Sequence, residues 1–95
     1  MAFYAYIMAS RRNGTLYVGS TDDIAQRAWE HREKVRPGFT AKYGCSILVW
    51  MEPHAARESA FSRERQIKEW RRAWKLRLIE ETNPTWRDLY ETLNH

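Results

Sequence analysis

Between two short aromatic and aliphatic runs near the start of the chain lies Arg11-Arg12-Asn13-Gly14. Asn-Gly accepts positive φ at little cost, so it closes a tight reversal. Phe3 to Ala9 before it and Thr15 to Gly19 after it are rich in aromatic and β-branched residues, the composition of strands. The first two elements therefore form a hairpin.

The periodicity then changes. Ser20-Thr21-Asp22 offers N-cap oxygens for a helix that begins near Asp23, runs to about Val35 and is ended by Pro37-Gly38. At about 100° per residue, Ile24, Ala28 and Val35 share one stripe of it. Residues 39–44 read as a loop. Ser46 to Met51 is an apolar run of strand length, stopped at Pro53, and Trp50 favours strand over helix there. His54 to Trp70 reads as a second helix, with Ala56, Ala60, Phe61, Ile67 and Trp70 on one side. Arg71 to Thr82 continues helically after a break, anchored by Trp74, Leu78 and Ile79, and Asn83-Pro84 stops it. Thr85 to Leu93 reads as a short terminal helix capped by Thr85, with Trp86, Leu89, Tyr90 and Leu93 as its apolar side. The order β-β-α-β-α-α-α specifies an α+β fold, a three-stranded antiparallel sheet flanked by helices.

A chain of 95 residues fits one domain, residues 1–95. So short a chain needs large side chains in its core, and five Trp, five Tyr and three Phe supply them. Cys45 is the one cysteine, which excludes an intrachain disulfide and a Cys/His metal cluster and suits a reducing cytoplasm. No segment approaches the roughly 18 apolar residues of a membrane span. The formal net charge of +4 favours an anionic partner. Arg57, Arg63, Arg65, Lys68, Arg71, Arg72, Lys75 and Arg77 crowd one stretch, interleaved with Trp70 and Trp74.

Two helices place a chemically useful group where a hydrophobe would be cheaper. His31 projects about 20° from Ile24, inside the apolar stripe, with Arg27 one turn earlier on the same edge. Glu64 projects between Ala60 and Phe61. An ionised carboxylate is expensive to bury unless paired or metal-bound, so Glu64 needs a partner. Structural roles compete with chemical ones at each position: a hydrogen-bonded core histidine, packed strand tyrosines at Tyr4, Tyr6 and Tyr17, and pairing of Glu64 with Lys68 or Arg57.

The order and spacing of these residues resemble the GIY-YIG nuclease family over nearly the whole chain. Tyr4-Ala5-Tyr6 stands at the first motif and Tyr17-Val18-Gly19 at the second, with a turn in the ten residues between. Arg27 and His31 match the family's Arg-x-x-x-His helix, Glu64 its metal-binding Glu, and Asn83 a late Asn. The likeness is greatest to small standalone bacterial members, which resemble the N-terminal domain of the nucleotide-excision-repair endonuclease. The first motif departs from the pattern at Tyr4 and Ala5 but keeps its final tyrosine, Tyr6. No additional DNA-binding domain is recognisable.

The resemblance implies a metal-dependent DNA endonuclease. Glu64 would hold one Mg²⁺ or Mn²⁺, and Arg27 would bind the scissile phosphate. Tyr17 would orient or deprotonate the attacking water, Tyr6 would bond the same water or the phosphate, and His31 would relay a proton. A phenol ordinarily titrates near pH 10, so a base of this kind needs help from a neighbouring guanidinium and the metal. Gly19 would let the backbone approach the helix start. Lys42, Lys68, Arg71, Arg72 and Lys75 are the expected DNA-phosphate contacts, with a protein partner supplying specificity. Two other functions fit the same residues: a non-catalytic nucleic-acid-binding module, and a protein-interaction domain using exposed tryptophans.

Overall fold

The computed structural model describes residues 2–35 and 37–93; Met1, Arg36, Asn94 and His95 lie outside the described residues. Strands β1 (Phe3–Ala9), β2 (Leu16–Thr21) and β3 (Ile47–His54) form one antiparallel sheet in the order β2-β1-β3. Helices α1 (Ile24–Arg32) and α2 (Phe39–Tyr43) separate β2 from β3, and α3 (Arg57–Glu69) and α4 (Arg72–Thr82) follow it. The α+β class and the three-stranded antiparallel sheet are as the sequence predicts.

The pleat sorts side chains onto two faces. Ala5, Ile7, Ala9, Val18, Val49 and Trp50 bury against Ile67 of α3, Ile79 of α4 and Trp86. Tyr6, Met8 and Leu48 bury on the other face with Ile24 and Ala28 of α1 and with Cys45. Burial also pushes the Cys45 thiol up, which keeps it protonated and inert.

Several boundaries differ from the sequence expectation, each for a local reason. α1 ends at Arg32, because Lys34 turns to a left-handed φ of 54°. Val35 is then exposed and leaves the stripe. Residues expected as a loop contain α2, a single turn closed by Gly44 at φ 68°. β3 runs through Pro53 to His54, since it is an edge strand and Pro53 need donate no ladder bond. His54 consequently ends a strand, bonded to Glu52 and Ser59, and α3 starts at Arg57. Phe61 and Trp74, expected as core anchors, are exposed, because the buried stripes of α3 and α4 narrow to Ala60 and Ile67 and to Ile79.

The expected terminal helix is a 3₁₀ turn, Leu89–Thr92, capped by Asp88 and not by Thr85. Trp86 adopts φ 58°, which stops any helix there. Asn83 fixes this corner. Its buried amide donates to the carbonyls of Val49 and Arg87 and accepts from the Arg87 N–H. Asn83 is thus a structural clamp between β3 and the chain's end. Among the described residues no helix is long and apolar enough to cross a membrane.

Candidate active site

The polar chemistry begins on the α1 face of the sheet. Tyr6 on β1 points its phenol at His31 of α1, with Oη and Nε2 3.0 Å apart in a buried bond. The other imidazole nitrogen, Nδ1, lies 3.0 Å from the Thr40 hydroxyl of α2. His31 is therefore held at both ends, and its place in the apolar stripe is stabilised by two hydrogen bonds. Burial pushes the Tyr6 phenol well above the usual phenol range; the neighbouring Tyr17 adds to this, Arg27 opposes it, and Glu64 and Glu30 raise it further. Tyr6 stays protonated at neutral pH.

Gly19 makes room for that phenol. It pairs with Tyr6 across β1 and β2, and a Cβ there would lie 2.6 Å from the Tyr6 hydroxyl. The requirement is for space beside a tyrosine rather than for close approach to the helix start.

Tyr17, on β2, lies on the same face, its ring centroid 5.4 Å from that of His31 and 6.4 Å from that of Tyr6. Tyr17, Arg27, Glu30, His31, Phe39 and Thr40 line an open cavity of about 140 Å³. Arg27 holds Glu30 at 3.5 Å, one turn away on α1, so its guanidinium is partly neutralised and kept at the cavity wall. Arg27 and Asp23 share the start of the helix: Asp23 is the N-cap, accepting from the Gln26 N–H. Four sequence-predicted residues, Tyr6, Tyr17, Arg27 and His31, thus come together.

Glu64 approaches from the opposite face. It sits on α3, and its Oε1 accepts a 2.6 Å bond from the Ser20 hydroxyl of β2. Ser20 pairs with Ala5 and therefore faces α3, whereas the preceding residue, Gly19, faces α1. The two half-sites meet across β2, an edge strand with one neighbour, at a residue without a side chain. The Glu64 charge reaches Tyr6, which it helps to hold neutral. Glu64 does not line the Tyr17–Arg27 cavity. Its Oε2 is paired with Lys68 Nζ at 2.6 Å; the acid's side chain is 12% exposed and the lysine's 48%. The pair is open to solvent on the lysine side.

The expected phosphate contacts divide. Lys42 is exposed on α2, its ammonium 5.4 Å from the Tyr43 ring centroid. Lys68 is engaged by Glu64. Arg71 lies over Trp74, and Arg72 donates to the carbonyls of Asn13 and Gly14 at 2.8 and 2.6 Å. Arg72 and Lys75 line a polar groove of about 480 Å³ with the hairpin turn, which neither Tyr17 nor His31 lines. Sequence reasoning missed Thr40, Glu30 and Ser20. Glu30 could have been found from its i,i+3 spacing to Arg27; Thr40 and Ser20 carry no local signal.

A divalent metal can be tested against these donors. Among the described residues no group of three or more His, Cys, Asp or Glu side chains is placed to hold a metal ion. Glu64 with the Ser20 hydroxyl is a hard oxygen set. That suits Mg²⁺ or Mn²⁺, which commonly take one or two carboxylates and fill the rest with water and substrate oxygens. The residues fit the ion.

The family model of the GIY-YIG catalytic domain matches residues 2–77, and the chain belongs to that family. Within it, the chain is similar to UPF0213 proteins. One from Staphylococcus haemolyticus is 32% identical over 78 residues, covering 82% of this chain and 94% of the relative. One from Staphylococcus aureus (strain Mu3 / ATCC 700698) is 33% identical over 69 residues, covering 73% and 84%. The solution NMR structure of a UPF0213 protein from Bacillus halodurans shares the fold over 100% of both chains, with a TM-score of 0.57 at 23% identity.

Proposed function

We propose that the chain is a metal-dependent endonuclease of low sequence specificity, hydrolysing DNA phosphodiester bonds in repair or recombination. The setting follows the likeness to the N-terminal domain of the nucleotide-excision-repair endonuclease, and the cytoplasm is its compartment. The observation that carries the proposal is the cavity in which Tyr17, Arg27 and His31 meet, with Tyr6 bonded behind them.

Each side chain has a separable task. Arg27 binds the scissile phosphate, because a guanidinium stays charged and matches two phosphate oxygens. Tyr17 orients the attacking water, its phenol oxygen accepting a hydrogen bond from it. Tyr6, kept neutral by burial, is a hydrogen-bond donor and not the base. With Tyr6 donating to Nε2, His31 carries its proton on Nδ1 and donates to Thr40. His31 thereby fixes the direction of the Tyr6 hydroxyl. Glu64 and Ser20 would hold the Mg²⁺ or Mn²⁺, which when bound stabilises negative charge on the phosphate and leaving oxygens. Lys42, Lys68, Arg71, Arg72 and Lys75 add phosphate contacts, so binding weakens steeply between roughly 50 and 200 mM salt. A protein partner supplies specificity.

A non-catalytic nucleic-acid-binding module with the same fold is the second reading, and the Glu64–Lys68 pair favours it, since the acid already has a cation. Nicking of supercoiled plasmid with Mg²⁺ or Mn²⁺ decides between them. Glu64→Ala and Arg27→Ala should each lose at least about a hundred-fold in rate. Equal nicking by wild type and both variants would exclude catalysis by this site.

A further inference from the structure

The cavity does not end at His31. Phe39 forms part of its wall, and an aromatic series continues outward from it. The Tyr17 and Phe39 ring centroids are 6.1 Å apart, and those of Phe39 and Tyr43 4.7 Å. Phe39 and Tyr43 are each 47% exposed, although core packing would bury rings of that size. Both stand on α2, a single turn set between Gly38 and Gly44. Lys42 lies on the same turn with its ammonium near the Tyr43 ring, and Arg27 lines the same cavity as Phe39. Exposed rings flanked by cations, continuous with a polar cavity that holds an arginine, suit a nucleotide better than an apolar peptide.

We propose that Phe39 and Tyr43 are a stacking platform for an unpaired nucleobase next to the phosphate in the cavity, so that the site takes single-stranded or unpaired DNA over intact duplex. This rests on the endonuclease assignment for the position of the phosphate. Its physical basis is that every base has a π-face but a duplex keeps those faces stacked inside the helix. A base can reach the Phe39 and Tyr43 rings only after leaving its stack, and the cost is lowest where the strand is already unpaired. Lys42 adds a contact to the adjacent backbone.

Binding measured in EDTA, where no cleavage occurs, tests the platform separately from catalysis. The probes are an oligonucleotide carrying 2-aminopurine and the duplex it forms with its complement, read by anisotropy and by quenching of the fluorescent base. Wild type should bind the single strand more tightly than the duplex and quench the base. The double variant Phe39→Ala with Tyr43→Ala should lose roughly ten-fold in single-strand affinity and the quenching, with duplex affinity unchanged. Tyr43→Phe, which keeps the ring, should behave as wild type; a matching melting temperature for all proteins excludes unfolding. Equal losses on both probes, or quenching that survives loss of both rings, would overturn the platform. Equal nicking by wild type, Glu64→Ala and Arg27→Ala in the plasmid test, with stacking intact, would sink the catalytic assignment alone.

Discussion

The two faces of the sheet solve opposite problems with the same three strands. On the α3–α4 face, Ile7, Val18, Val49, Ile67 and Ile79 make a hydrocarbon layer closed by Trp50 and Trp86. On the α1 face, Met8, Leu48, Ile24 and Ala28 share their layer with Tyr6 and His31, which bond each other. Hydrocarbon burial at roughly 25 cal/mol per Å² tolerates no polar group without a partner, so the second face stabilises less per residue and positions more. The candidate chemistry sits on the weaker face, with Glu64 brought around the edge strand from the stronger one. A small domain can carry a polar site on one side when the other side supplies the packing.

The largest expected effect separates these roles. Ile67→Ala should cost about 2–5 kcal/mol of unfolding free energy in denaturant titration while leaving nicking per folded molecule unchanged. Comparable loss of nicking per folded molecule would mean that the faces do not divide the work. Tyr6→Phe comes next. It removes the hydroxyl bonded to His31 and should cost about 1 kcal/mol near neutral pH. Burial raises the folded-state pKa of Tyr6, so its contribution is intact below the unfolded value of about 10 and is lost as pH rises above that. The stability gap between wild type and Tyr6→Phe should therefore shrink in alkaline titration; a gap that widens above pH ~10 would reverse the sign. The smallest effect concerns the edge. Lys68→Met frees the Glu64 oxygen and should tighten Mn²⁺ binding by about two- to five-fold, the worth of an exposed pair, as read by electron paramagnetic resonance. Unchanged or weaker binding would show that the lysine does not compete with the cation.

What could be read from the chain follows the range of the forces involved. The hairpin was legible because Asn13-Gly14 and its flanking strands are local signals. His31 and Glu64 were legible because a polar residue in an apolar stripe demands a partner, and both have one. The partners themselves were not all legible. Thr40 reaches His31 from a one-turn helix too short to show periodicity, and Ser20 meets Glu64 across 44 positions of sequence. Pro53 misled because its tolerance depends on β3 being an edge strand, a property of sheet order. Trp86 misled because its left-handed backbone is imposed by the clamp at Asn83. Nor did the motif order show that the acid and the phenols occupy opposite faces of the sheet.

Because the acid and the phenols stand on opposite faces, the position of the bound ion is decisive. Crystals soaked in Mn²⁺ and measured at the manganese absorption edge would locate the ion directly. An anomalous peak within coordination distance of Glu64, at the β2 edge beside Gly19, is the predicted result, with Lys68 displaced from the carboxylate. A Glu64 still paired to Lys68, with manganese bound elsewhere or nowhere, would contradict it.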